Sequence, residues 1–102
     1  MQGVKNIIDE SFVLQGFNVE QLCSEVGISH PHLLRRFKET YGITIVKYIL
    51  SRRIEYACEL LTTTDMSVKA VAYSCGFSDE LHFMKTFKSR MGASALTYRK
   101  EH

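Results

Sequence analysis

Apolar residues recur along the chain at three- and four-residue intervals and never convincingly at two, so every element the pattern predicts is a helix. Val4, Ile7, Ile8 and Phe12 mark one face of an opening helix. Val19, Leu22 and Val26 mark a second, with Asn18 as its N-cap and Gly27 as the left-handed residue that ends it. Ser29 caps a third, Pro31 sits in its first turn where a missing N–H costs nothing, and Leu33, Phe37 and Tyr41 face inward at i, i+4, i+8. From Thr44 to about Leu61, Val46, Ile49, Leu50, Ile54, Ala57, Cys58 and Leu61 keep helical spacing, a strut of roughly 18 residues and ~27 Å. Ser67 then opens a helix with Val68, Val71, Ala72 and Cys75 inward. Gly76 and Ser78 turn the chain into another with Phe83, Phe87 and Met91 inward, and Ser94 caps a last short helix carrying Leu96 and Tyr98. The prediction is an all-α fold of about seven helices.

The pattern also repeats. Val19, Gly27 and Ser29 recur 49 positions later as Val68, Gly76 and Ser78. Beyond the serine the offset becomes 50, pairing Phe37 with Phe87, Lys38 with Lys88, Gly42 with Gly92 and Tyr48 with Tyr98. One residue is therefore inserted in the second copy. Each copy reads as a short helix, a glycine turn and a longer helix, with a small residue, Cys23 or Ala72, where two helices cross closely; this is a helix-turn-helix layout. The expected organisation is a first lobe over residues 1–43, a linker helix over 44–63 and a second lobe over 64–102.

Composition narrows the function. At 102 residues, 45% hydrophobic and 24% charged, the chain has the size and balance of one ordinary globular domain. It has no apolar run of the ~20 residues a bilayer needs and no signal-peptide pattern, so a cytoplasmic location is expected. Cys23, Cys58 and Cys75 are odd in number and fit neither a zinc site nor a disulfide framework, and they fall on apolar stripes, so they are expected as buried free thiols. His30, His32, His82 and His102 share no ligand spacing with them, and neither a metal nor another cofactor is expected. No nucleophile–base arrangement, paired carboxylates or phosphate-cradling glycine loop argues for an enzyme. The formal charge of +2 is too small to announce a nucleic-acid binder, but its distribution is uneven. Asp9, Glu10, Glu20 and Glu25 dominate the first 29 residues. Arg35, Arg36, Lys38, Lys47, Arg52 and Arg53 follow against Glu39 alone, and Lys85, Lys88, Arg90, Arg99 and Lys100 cluster later.

On these residues the chain resembles the AraC/XylS family of transcription regulators. The resemblance lies in Gly27-Ile28-Ser29 followed by Leu33, Arg35, Phe37 and Lys38, in Gly42-Ile43-Thr44, and in Tyr48-Ile49, Arg53, Ala57 and Leu60-Leu61 of the linker. It continues through Val71-Ala72, Cys75-Gly76-Phe77-Ser78, Phe83, Phe87-Lys88, Gly92 and Tyr98-Arg99. The match runs from about residue 4 to 100, and two units at the right separation are far more specific than one helix-turn-helix. Ile45 and Ala95 stand where the family usually has proline, and Asp79-Glu80 where many relatives have neutral polar residues.

The resemblance implies a homeodomain-like tandem fold whose two longer helices lie in adjacent major grooves of an asymmetric site, read by one monomer. It also implies transcription activation through RNA polymerase. With Leu33, Phe37 and Tyr41 inward, His30, Pro31, Leu34, Arg35 and Lys38 turn outward; the second unit exposes Glu80, Leu81, Met84, Lys85 and Lys88. Arg35 and Lys85 suit guanine O6/N7, Glu80 a cytosine amino group, and Leu34, Leu81 and Met84 thymine methyls, with His30 and Pro31 beside them. Ser29, Lys38, Arg52, Arg53, Ser78, Lys88 and Arg90 are the expected phosphate contacts. The competing expectation is a helical protein-interaction module using the exposed leucines and methionine. Many members of the family carry an N-terminal ligand-sensing or receiver domain, and an excised C-terminal domain is expected here, with a self-sufficient short regulator as the alternative.

Overall fold

A computed structural model describes residues 1–102 as seven helices: α1 (Gln2–Ser11), α2 (Val19–Val26), α3 (His30–Tyr41), α4 (Ile45–Thr63), α5 (Val68–Ser74), α6 (Glu80–Met91) and α7 (Ala95–Glu101). Asn18, Thr44, Ser67 and Ser94 each accept a backbone N–H from the helix they precede, so four starts are fixed by side chains legible in the sequence. Gly27, Gly42 and Gly92 end α2, α3 and α6 in the left-handed conformation, satisfying a carbonyl four residues back. None of the helices is long and apolar enough to cross a membrane.

Two buried clusters divide the molecule. One gathers Val4, Ile8, Leu22, Leu33, Phe37, Ile45 and Ile49; the other gathers Ile54, Ala57, Leu61, Val71, Phe83, Phe87 and Ala95. The strut α4 thus gives its first half to one cluster and its second half to the other. The repeat explains this, because Ile45 is 50 positions before Ala95 of α7, while Leu61 is 49 positions after Phe12 at the end of α1. The helix α4 fuses the first copy's counterpart of α7 with the second copy's counterpart of α1. Aromatic contacts follow the same register: Phe37 meets Tyr48 at 5.6 Å between ring centroids, and Phe87 meets Tyr98 at 5.5 Å. Each fully buried Phe contributes about 1.5–3 kcal/mol through the apolar surface it removes from water.

A polar seam joins the lobes. Arg53 Nε donates to the Phe12 carbonyl at 2.9 Å, and its guanidinium lies 5.7 Å from the centre of the Phe77 ring. Gln15 Nε2 donates to the carbonyls of Tyr73, in the last turn of α5, and Phe77, in the turn beyond it, at 3.0 and 3.1 Å. Gly76 lies beneath Phe12 with φ +102°; a Cβ there would overlap the Phe12 carbonyl oxygen and sit 2.9 Å from Arg53 Nε. At the far end of the strut, Arg99 donates to the carbonyls of Leu61 and Thr64, placing a cation where α4 ends and has no basic residue of its own.

Several expectations are corrected. Met91 is exposed, because each i+4 step turns the side chain by ~40° and Met91 lies ~80° from Phe83, on the last turn of α6. Tyr41 drifts equally but rests on Phe37, 4.8 Å between ring centroids, with Lys5 over its outer face. Ser78 does not cap α6. The inserted residue is Asp79, whose carboxylate accepts from the N–H groups of Leu81 and His82. Ser29 occupies the N-cap position of α3, but its hydroxyl makes no capping bond. All three cysteines are free thiols but only Cys75 is buried, and burial pushes its thiol up to about 12; Cys23 and Cys58 lie half-buried at the edges of the clusters.

Candidate nucleic-acid interface

The outer face of α3 borders a groove that runs to the start of α4, lined by Pro31, Leu34, Arg35, Lys38, Glu39, Thr44 and Val46. The outer face of α6 borders a second groove that runs to the start of α7. The two are the same groove in repeat register, since Leu81, Met84, Lys85, Lys88, Ser94 and Leu96 line the second at positions 50 beyond Pro31, Leu34, Arg35, Lys38, Thr44 and Val46. A helix N-terminus closes each, with Thr44 or Ser94 as its cap.

Two clefts join the grooves across the strut. Val46 belongs to the first groove and to a cleft with Asn18, Leu50, Arg53 and His82. Leu50 continues into a cleft with Lys47, Lys85, Thr86, Ser89 and Arg90, and Lys85 is shared with the second groove. At 100° per residue, Val46, Lys47, Leu50 and Arg53 span about 120° of α4, so one side of the strut faces this surface. The surface runs unbroken from α3 to α6. Its exposed cations are Arg35, Lys38, Lys47, Lys85, Lys88 and Arg90, set against the carboxylates of Glu39 and Glu80.

The expected site residues divide on this geometry. His30, Pro31, Arg35 and Lys38 stand exposed on α3, with Leu34 half-buried beside them. Leu81, Met84, Lys85 and Lys88 stand exposed on α6, with Glu80 half-buried at its start. Arg35 lies 3.7 Å from Glu39 one turn on, a solvated pair that opens at little cost. Ser29 and Ser78 are exposed ahead of the two helices. Arg52 turns the other way: on α4 it shares the side of Glu55 and Glu59, pairs with Glu55 at 2.7 Å and Asp9 at 3.2 Å, and covers the Phe12 ring. Burial weakens its proton affinity, but the Glu55 hydrogen bond and the Asp9 charge outweigh that and raise it. Asp9 also accepts from the Tyr48 hydroxyl, and burial with that bond pushes Tyr48 up to about 12.

Arg53 is held in the seam between the lobes, where burial lowers its pKa, and Arg90 donates to Ser51 Oγ at 2.9 Å and the Lys47 carbonyl at 3.4 Å. These three arginines were expected at phosphate because they stand in a basic stretch of sequence; the structure engages all three within the protein. From sequence, Lys47 stands only in a basic stretch and Val46 and Leu96 only on apolar helix stripes, whereas all three line the outer surface. The signal for the last two was present, because an apolar residue stands two positions after each cap, Thr44 and Ser94, and both are more than half exposed.

A family described as "Helix-turn-helix domain" matches residues 22–101. The MmsAB operon regulatory protein of Pseudomonas aeruginosa is 36% identical over 81 residues, which are 79% of this chain and 26% of that protein. The chain belongs to the AraC/XylS family. Among solved structures of similar chains, the C-terminal domain of the two-component response regulator yesN from Fusobacterium nucleatum superposes with a TM-score of 0.93 at 32% identity, covering 96% of this chain and 95% of that one. The DNA-binding domain of AdpA, solved in complex with a target DNA, superposes with a TM-score of 0.90 at 29% identity, covering 98% and 89%. The chain spans about a quarter of the length of its AraC/XylS relative from Pseudomonas.

Proposed function

We propose that the chain binds duplex DNA sequence-specifically as part of a transcription regulator, laying α3 and α6 in successive major grooves. The observation that carries this is the unbroken cationic surface that holds both helices on one side of the strut. The molecule is 43 Å long, enough to reach between major grooves one helical turn, ~34 Å, apart. Both helices belong to one chain, so a monomer covers an asymmetric site.

In this reading Arg35 and Lys85 bond guanine edges, Leu34, Leu81 and Met84 lie against thymine methyls, and His30 and Pro31 approach bases at the start of α3. Glu80 stands where a cytosine amino group could be met. Lys38, Lys47 and Lys88, the hydroxyls of Ser29 and Ser78 and the starts of α4 and α7 hold phosphates. The protein works in the cytoplasm, performs no catalysis of its own and activates transcription by touching RNA polymerase; the operon-regulator relative supports a role in transcription regulation.

Selection of bound sequences from random duplexes, followed by titration at rising salt, tests the reading. Neutralising about six phosphates makes affinity fall roughly a thousandfold between 50 and 200 mM salt. A selected site without two-fold symmetry and a complex containing one protein per duplex are expected. Failure to enrich any sequence, together with protein binding that survives high salt, would favour a helical interaction module instead.

A further inference from the structure

The strut alone does not fix how α3 sits relative to α6. The first cluster grips α4 through Ile45 and Ile49 and the second through Ile54, Ala57 and Leu61, with Leu50 packed against the second and Tyr56 touching both, which leaves a short waist at residues 51–53 that neither core encloses. A single helix bends and twists about such a waist. Here it is bridged from outside. The turn after α1 reaches over to the turn that precedes α6, with Gln15 on the Tyr73 and Phe77 carbonyls and Arg53 between the Phe12 carbonyl and the Phe77 ring. The close approach depends on Gly76, whose repeat counterpart Gly27 has open space where a Cβ would go. The approach therefore belongs to the seam and not to the turn as such. Arg90, reaching back from α6 to Ser51 and Lys47, ties the same waist from the cleft side.

We propose that Gln15, Arg53 and Gly76 are positioning residues that set the separation and rotational phase of α3 and α6, making the number of base pairs between the two subsites part of what the protein reads. The inference rests on the DNA-binding reading above. One inserted base pair moves the second subsite by ~3.4 Å and rotates it by ~35°. A rigid pair of lobes cannot follow that without losing contacts in one groove. A pair hinged at the waist can.

The test uses the site selected from random duplexes, with one or two base pairs inserted or deleted between the subsites. The unaltered protein loses about tenfold or more in affinity per step, the scale of losing a base contact. In the Gln15→Ala, Arg53→Met double variant, which keeps an apolar side chain against Phe77, the penalty, taken relative to the same variant on the unaltered spacing, shrinks to about threefold or less; Gln15→Ala alone shrinks it in the same direction while affinity for a duplex bearing either subsite alone is unchanged. An unchanged spacer penalty in the folded double variant overturns the proposal, as does the absence of any penalty in the unaltered protein. If the double variant does not fold, Gln15→Ala alone, an exposed side chain that touches only carbonyls, must still flatten the spacer profile, and an unchanged profile overturns the proposal. Failure to bind any duplex appears before the spacer is varied, so it is distinguishable as failure of the DNA-binding reading itself.

Discussion

Gly27 and Gly76 occupy the same place in the two copies of one repeat, yet their surroundings differ. Both hold a positive φ, +70° and +102°, as the turn between the helices requires. Around Gly27 there is open space, whereas Gly76 is pressed against the end of α1 and Arg53. The starts of α3 and α6 differ as well: Ser29 precedes α3 without capping it, while the inserted Asp79 caps α6 with two bonds. The copies share what makes a helix-turn-helix and diverge where the second must dock on the first.

The largest expected effect breaks that comparison at its glycines. Gly27→Ala meets only the cost of a left-handed alanine, ~1 kcal/mol. Gly76→Ala adds overlap with backbone, which a rotamer change cannot relieve, and costs about 3 kcal/mol or more. Urea unfolding of both variants checks this. Equal losses would show that the seam yields readily and that Gly76 is only a turn residue.

The contrast also shows what was legible in the sequence. Helix number, the left-handed glycines and the division of the strut between the lobes follow from local rules: spacing of apolar residues, capping and the repeat. So do the outward faces of α3 and α6, because setting Phe37 and Phe87 inward fixes the rest of each helix by geometry. The seam was not legible, since Arg53 and Gln15 meet partners dozens of residues away and nothing in a basic stretch distinguishes a phosphate contact from a guanidinium bonded to a carbonyl. Arg52 illustrates the same limit: Arg53 beside it carries the same charge, but 100° around the helix places the two against different neighbours. Met91 failed for a smaller reason, the accumulated rotation of i+4 steps at a helix end.

Intermediate effects separate the two arginine populations. Arg35→Ala should cost ~1–3 kcal/mol on the selected site and relax preference at one base pair, with Lys85→Ala acting likewise in the other half of the site. Arg52→Ala should leave DNA affinity unchanged and lower stability by up to about 1 kcal/mol, because its pairs with Asp9 and Glu55 are partly exposed. Titrations on the selected duplex and on a scrambled one, alongside thermal melts, measure both quantities. An equal loss on the two duplexes for Arg35→Ala would remove it from base reading, and weakened binding by Arg52→Ala would place it back at the DNA.

The smallest effects lie at the helix starts and sharpen the comparison most. Asp79→Ala should lower stability by ~1 kcal/mol because two N–H groups of α6 lose their acceptor, whereas Ser29→Ala should scarcely change it, since its hydroxyl caps nothing. Glu80 stands next to a cap that is already complete, so its structural contribution is confined to the helix macrodipole, ~0.3–1 kcal/mol. Its carboxylate lines the same groove as Lys85 and Lys88, where it opposes approach of a polyanion. Glu80→Gln should therefore cost a few tenths of a kcal/mol in stability and raise affinity for every duplex alike. Were the carboxylate instead accepting from a cytosine amino group, the same change would weaken the selected site while strengthening scrambled DNA. The ratio of the two affinities decides: a constant ratio leaves Glu80 as a helix-start acid that moderates attraction in the second lobe, and a falling ratio makes it a reader of sequence.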